Sequence, residues 1–136
     1  SQGFTETDIA EEKACSLSKA AAGDFSDTSE KTVMSLLPFP DQAVIRKGLF
    51  PDTTSGLEHE TFALVSLDAD LYAPTLAGLE FFYPRLSPVG AIILHDWDNR
   101  RFPGVGEAVR AWEQQHSPLP LVPLGDLHGT AVIIRP

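Results

Sequence analysis

The sequence predicts an α/β fold with a mostly parallel sheet and an antiparallel C-terminal strand. Two short apolar runs, at residues 62–67 and 91–94, lack the polar alternation of half-exposed strands and so indicate parallel strands covered on both faces. Between them, residues 73–86 place apolar side chains on one helical face. Strand, helix and strand joined by short connections predict a βαβ unit.

The residues before this unit predict two helices. The first would begin at Thr7 or Asp8 and continue to Gly23, because acidic residues in a first turn and glycine after a last turn suit helix ends. The second would begin after a cap at Ser29 and end before Pro38, with helically spaced apolar residues between them.

A further strand is predicted at residues 43–48, which are short and β-branched, and a loop follows at 50–56, with one helical turn before Thr61. After the βαβ unit, residues 105–116 show the pattern of an amphipathic helix. Two prolines make 119–124 an edge strand. Residues 130–135 then predict a final strand, antiparallel to this edge strand.

Length and composition indicate one domain formed by residues 1–136, with an ordinary globular core. Nineteen acidic residues against ten Lys and Arg give a formal charge of -9, which disfavours nucleic acid and anionic membrane surfaces as partners. We find no apolar run that could span a bilayer and no signal peptide, and we expect a cytoplasmic location. Cys15, the only cysteine, cannot form an internal disulfide.

Acidic side chains follow both strands of the βαβ unit. Asp68 and Asp70 come after the first strand, and His95, Asp96 and Asp98 come after the second. Because parallel strands place their carboxyl ends on one edge of the sheet, we expect the two groups to meet there. Asp68 and Asp96 then suit a hard divalent ion such as Mg2+, although Asp residues after strands also cap helices and close turns.

His95 has three readings: a metal ligand, a general base, or a neutral side chain hydrogen-bonded beneath the edge of the sheet. Imidazole is a poor ligand for Mg2+ and a good one for Zn2+ or Mn2+, so this residue leaves the identity of the metal open.

Several segments of the chain resemble the macrocin O-methyltransferase (TylF-like) family. The segments that carry the resemblance are Ser-Leu-Asp-Ala-Asp-Leu-Tyr at 66–72, Ile-Ile-Leu-His-Asp at 92–96, Phe-Pro-Gly-Val at 102–105, Lys-Gly-Leu-Phe-Pro-Asp-Thr at 47–53, and the helical stretch 74–88. The resemblance implies a Rossmann-like methyltransferase sheet and an S-adenosylmethionine-dependent transfer of a methyl group to a sugar or phenolic hydroxyl, usually with Mg2+.

The same resemblance assigns roles to residues of the predicted site. Asp68 matches the first metal-binding aspartate, and His95 and Asp96 match a pair that is acidic at both positions in many members. Asp70 matches a position suggested as the general base. A hydroxyl held on a divalent ion would lose its proton to Asp70 or His95 and then attack the sulfonium methyl group.

Such enzymes hold S-adenosylmethionine through a glycine-rich turn after their first strand and an acid after their second, and neither is present. Gln2-Gly3-Phe4 resembles the stretch just beyond that second strand. We therefore expect a fold truncated at its N-terminus, the C-terminal portion of a catalytic domain. The two absent strands would leave a gap between the 43–48 and 62–67 strands, closed by direct pairing or by association with another copy.

Two other functions fit the same residues. Asp68-Ala69-Asp70 alone satisfies the Asp-x-Asp pattern of a metal-dependent glycosyltransferase, which also follows a strand. A non-catalytic remnant that serves as a binding or oligomerisation module is the second alternative. The acceptor is not readable from the sequence, because variable loops build substrate pockets in such folds.

Overall fold

The computed structural model describes residues 4–136, so Gln2 and Gly3 of the resemblance lie outside the described residues. The elements, in chain order, are α1 (Glu6–Ala14), α2 (Glu30–Leu36), β1 (Phe62–Leu67), α3 (Tyr72–Phe82), β2 (Leu86–Leu94), α4 (Pro103–Gln115), β3 (Leu121–Pro123) and β4 (Ala131–Ile134). Three short 3-10 helices lie at Pro40–Gln42, Asp52–Thr54 and Tyr83–Arg85.

The four strands form one sheet in the order β1-β2-β4-β3. β1 pairs parallel with β2, while β4 pairs antiparallel with both β2 and β3. β1, β2 and β3 therefore share one direction, and only the C-terminal strand opposes them. This arrangement confirms the predicted mostly parallel sheet, the βαβ unit and the antiparallel final pair.

The hydrophobic core lies between one face of the sheet and the helices, with α3 packed against both α4 and β1. The buried strand residues are in register across this face: Val65, Ile92 and Ile133 form one row, and Leu67 and Leu94 lie in the next.

The opposite face of the sheet is largely open among the described residues. Leu64 keeps 62% of its surface exposed and Val122 keeps 53%. The prediction that β1 is covered on both faces is therefore wrong for the part of the chain that the structure describes.

β2 begins five residues earlier than the predicted strand at 91–94, because residues 87–90 form a bulge within the strand and not a connection that precedes it. The pairing register shifts between Phe62 and Leu64, and Val89 has a positive φ of 62°. A Cβ on Gly90 would lie 2.8 Å from the carbonyl oxygen of Ser87, so the bulge requires glycine there.

The first helix ends at Ala14 and not before Gly23. Ser16 has a positive φ of 59°, and the following residues bond to the start of α4 instead of continuing the helix. The backbone N–H of Gly104 donates to Leu17, and that of Lys19 donates to Arg101. The second predicted helix is confirmed, since Ser29 caps α2 by accepting the backbone N–H of Thr32.

The predicted strand at residues 43–48 does not form, and neither does the helical turn before Thr61. A strand needs a neighbour to pair with, and the described residues offer none beside this segment. Arg46 instead donates from Nη1 to the carbonyl oxygens of Thr53 and Ser55, which ties the segment to the next loop. β1 is thus an edge strand, and no direct pairing closes a gap beside it in residues 4–136.

Candidate metal centre

The predicted site residues lie at the carboxyl ends of β1 and β2. Leu67 and Leu94 are paired in the parallel ladder and are the last residues of their strands. Asp68 and His95 follow them directly, and the His95 backbone N–H donates to the Leu67 carbonyl oxygen at 3.0 Å. The end of the sheet therefore fixes the direction of both side chains.

Asp68, His95 and Asp96 form a compact group of candidate ligands. Nδ1 of His95 lies 2.9 Å from Oδ2 of Asp96 and 3.3 Å from Oδ1 of Asp68. One candidate ligand atom from each of the three side chains lies within 4.8 Å of the other two. The structure thus brings together the residues predicted for the metal site.

The two carboxylates differ in exposure. The Asp96 side chain is only 5% exposed, whereas that of Asp68 is 59% exposed. Asp96 is held from both sides, by His95 on Oδ2 and by the side-chain amide of Asn99 on Oδ1. The Asp96 carboxylate is therefore held in one orientation, whereas the Asp68 carboxylate is accessible from solvent.

Asp70 lies in the loop between β1 and α3, with a positive φ of 58° that turns the chain away from its strand path. Burial raises the pKa of its carboxyl to about 7, and the Asp68 charge and a hydrogen bond to Asp96 act in the same direction. The pKa of His95 is also raised, chiefly by its hydrogen bond to Asp96 and further by the charge of Asp68. Near neutral pH, Asp70 is therefore able both to accept and to release a proton.

Two residues that sequence analysis did not assign to the site also contact it. Asn99 binds Asp96, and the ring of His128 stacks on that of His95 with centroids 5.8 Å apart and 24° between the planes. The contact of Asn99 could have been predicted from sequence spacing, since an amide three residues after Asp96 can close a turn. No sequence feature predicts the position of His128, because only the fold brings its loop to the site.

The loop that carries His128 is tied to the site by hydrogen bonds. Oδ1 of Asp126 accepts the backbone N–H groups of His128, Gly129 and Thr130. A hydrogen bond from the Thr130 side chain, together with these backbone bonds, lowers the pKa of Asp126 to about 2. The backbone N–H of Asp98 donates to the Gly129 carbonyl oxygen. Gly129 has a φ of 74°, and a Cβ there would lie 2.8 Å from the Asp98 backbone, so close approach of the two loops requires glycine.

A wide cavity of about 1150 Å³ opens beside this cluster. Its walls combine the site residues Asp68, Asp70, His95 and Asp96 with aromatic side chains from distant segments, namely Phe4, Phe25, Phe50, Phe82 and Phe102. Such a mixture of apolar walls and a few convergent polar groups is typical of small-molecule sites.

Within residues 4–136, the structure contains no helix that is both long enough and apolar enough to cross a membrane.

The fold is that of a Rossmann-like methyltransferase. The solved structure described as "Structure of the O-methyltransferase NovP" superposes with a TM-score of 0.69 at 21% identity, covering 98% of this chain and 52% of that one. Residues 30–135 match the family described as Macrocin-O-methyltransferase (TylF). The chain belongs to this family, which confirms the resemblance seen in the sequence.

Two curated relatives are similar over shorter stretches. The 8-demethyl-8-(2,3-dimethoxy-alpha-L-rhamnosyl)-tetracenomycin-C 4'-O-methyltransferase of Streptomyces olivaceus is 42% identical over 57 residues, which are 42% of this chain and 22% of that protein. The Mycinamicin III 3''-O-methyltransferase of Micromonospora griseorubida is 36% identical over 76 residues, 56% of this chain and 29% of that protein. The chain therefore spans less than a third of the length of either relative.

Proposed function

We propose that the chain is the metal-binding portion of an S-adenosylmethionine-dependent O-methyltransferase that acts on a hydroxyl of a natural product, most readily a sugar hydroxyl. The observation that carries the proposal is the convergence of Asp68, His95 and Asp96 beside an open cavity in a chain of this family. The names of both curated relatives describe O-methyl transfer, one of them to a rhamnosyl-bearing compound.

The residues of the centre fit a divalent cation. Two carboxylates supply hard oxygen ligands, and the burial of Asp96 fixes one of them in place. Such a cation would hold an acceptor hydroxyl and lower its pKa. Asp68, which is largely exposed, borders the cavity through which the acceptor would enter.

Asp70 is the better candidate for the general base. A base works best when its pKa lies near the operating pH, and the Asp70 carboxyl borders the cavity with a pKa that is raised chiefly by its own burial. His95 uses Nδ1 toward Asp68 and Asp96, so that nitrogen would not be free to take a proton while it binds a cation. We therefore assign the metal ligands to Asp68, His95 and Asp96, and proton removal to Asp70.

The residues present fit S-adenosylmethionine only in part. The cavity offers space and aromatic walls, but the glycine-rich turn and ribose-binding acid expected of such enzymes are not among the described residues. S-adenosylmethionine would supply the methyl group. In this proposal the chain contributes the acceptor side of the site, and further polypeptide contributes the rest of the cofactor site.

The proposal also retains the other expectations from the sequence. Residues 1–136 form one portion of a single catalytic domain, located in the cytoplasm, without nucleic acid or membrane partners. The charge of -9 supports the exclusion of nucleic acid and anionic membranes. Exposed apolar side chains before β1 support association with another copy, among them Leu36 at 78% and Val44 at 83% exposure.

Family membership favours methyl transfer over glycosyl transfer. A binding experiment distinguishes these two activities and also tests the alternative that the chain is a non-catalytic remnant. Because further polypeptide completes the cofactor site in this proposal, the titration uses the chain together with that polypeptide. Calorimetric titration with S-adenosylmethionine and with a nucleotide sugar, each with a divalent cation present, should show binding of S-adenosylmethionine only. Binding of the nucleotide sugar alone would contradict the proposal, and silence with both would favour the non-catalytic remnant.

Activity of the chain together with the polypeptide that completes the cofactor site can be tested by transfer of a labelled methyl group from S-adenosylmethionine to a rhamnosylated acceptor. We expect Asp70→Asn to lower kcat by about a hundredfold or more, because general-base catalysis contributes about that much. The matched control is Asp98→Asn, which removes an exposed carboxyl from the loop after β2 and should leave kcat unchanged. Equal effects of the two substitutions would contradict the role of Asp70.

A further inference from the structure

The centre contains a nitrogen donor where an oxygen donor would suit Mg2+ better. We propose that Asp68, His95 and Asp96 select a first-row transition ion, such as Co2+ or Zn2+, over Mg2+, with His95 as the residue that sets this selectivity. The inference rests on the metal-binding part of the proposed function and deepens it by naming the class of ion.

The spacing of the donor atoms fits coordination by one small cation. Two donors that each lie about 2.1 Å from an ion, at right angles, are about 3.0 Å apart, and at a tetrahedral angle they are about 3.4 Å apart. Nδ1 of His95 lies 2.9 Å from Asp96 Oδ2 and 3.3 Å from Asp68 Oδ1. The His95 nitrogen therefore lies at a coordinating separation from each carboxylate, and one donor atom from each of the three side chains lies within 4.8 Å of the other two.

The imidazole is held at this point by groups outside the centre. Its backbone N–H is bonded to Leu67 at the end of β1, and its ring is stacked on His128. His128 in turn lies on the loop that Asp126 fixes through three backbone hydrogen bonds. Nδ1 of His95 is therefore already in position to coordinate an ion that the two carboxylates bind.

This arrangement discriminates between classes of ion. Mg2+ requires oxygen ligands in near-ideal octahedral geometry, and a fixed imidazole occupies a position that Mg2+ would fill with water or a carboxylate. Co2+, Ni2+ and Zn2+ accept imidazole nitrogen readily. Two carboxylates and one imidazole leave coordination positions open for an acceptor oxygen and solvent.

The test compares metal affinities of the wild-type chain and of His95→Asp. Because Co2+ binds most sites more tightly than Mg2+, the informative quantity is the Mg2+ dissociation constant divided by the Co2+ dissociation constant, and the change of this ratio on substitution. Calorimetric titrations with Co2+ alone and with Mg2+ alone should show this ratio falling at least tenfold in His95→Asp. In addition, the Co2+ complex of the wild type should show hyperfine-shifted imidazole proton signals that the variant lacks.

Two further variants keep the test decisive. His59→Asp introduces the same change of charge at an exposed histidine outside the cavity and should leave the ratio as in the wild type. Should circular dichroism show that His95→Asp is unfolded, His95→Asn replaces it with a neutral oxygen donor and should lower the ratio similarly.

The outcomes separate this inference from the proposed function. An unchanged ratio in both His95 variants, together with loss of Co2+ and Mg2+ binding in Asp96→Asn, would overturn the inference and leave the carboxylate centre intact. Failure of the wild type to bind either ion would overturn both.

Discussion

Replacing Asp70 with asparagine should stabilise the metal-free chain above neutral pH. The Asp70 carboxyl has a pKa raised from its ordinary value of 3.8 to about 7, because burial and the nearby Asp68 and Asp96 carboxylates disfavour its charge. At about 1.4 kcal/mol for each tenfold change in proton affinity, this difference corresponds to about 4 kcal/mol. Asp70 keeps contact with solvent, and screening reduces the expected effect to about 2 kcal/mol.

The sign of the effect follows from proton linkage. Below pH 3.8 the carboxyl is protonated in both the folded and unfolded chain, so the wild type and Asp70→Asn should differ little. Between pH 3.8 and about 7 the folded chain holds the extra proton, and its stability falls as the pH rises. Above that window the wild type carries the whole penalty, and the variant does not.

Urea unfolding followed by circular dichroism measures this effect, with EDTA present to remove divalent ions. The free energy of unfolding of Asp70→Asn minus that of the wild type should be near zero at about pH 4 and rise to about 2 kcal/mol at about pH 8. Asp98→Asn, which removes an exposed carboxyl nearby, should show no such rise. A pH-independent difference for Asp70→Asn would refute the reasoning, because it would mean that the carboxyl is not forced to hold its proton.

Three other perturbations test the core, the Asp126 loop and the stack on His95. Leu94→Ala, at a position 1% exposed, should lower the free energy of unfolding in urea by about 2–5 kcal/mol, whereas Val122→Ala, at 53% exposure, should change it by under about 0.5 kcal/mol. Wild-type stability should fall as acid titrates Asp126 between pH 3.8 and about 2; Asp126→Asn should lack that component, and equal acid sensitivity would contradict it. His128→Ala should weaken Co2+ binding in calorimetry by about tenfold, while His128→Phe, which retains an aromatic ring, should stay close to the wild type.

The predictable parts of the fold were those with strong local patterns. The run at residues 62–67 predicted β1 with its observed bounds, because a short apolar run with a single polar side chain indicates a strand. The strands predicted at 119–124 and 130–135 are present as β3 and β4, and their antiparallel pairing is confirmed. Asp68 and His95 could be placed together because they follow strands that are adjacent in a βαβ unit.

The errors arose where distant contacts decide the structure. The first helix ends early because Leu17 and Lys19 bond to Gly104 and Arg101, which lie 87 and 82 positions further along the chain. Residues 43–48 have strand composition but no partner strand among residues 4–136. His128 reaches His95 only because β4 returns beside β2, and no local spacing records that approach.

X-ray diffraction from crystals soaked in Mn2+ tests the central claim most directly, because the anomalous signal of manganese locates the ion without reference to activity. We expect one strong peak within coordinating distance, about 2.2 Å, of Asp68, His95 and Asp96, and its disappearance in crystals of Asp96→Asn. A manganese peak elsewhere with this cluster empty, or an undiminished peak in the variant, would contradict the account.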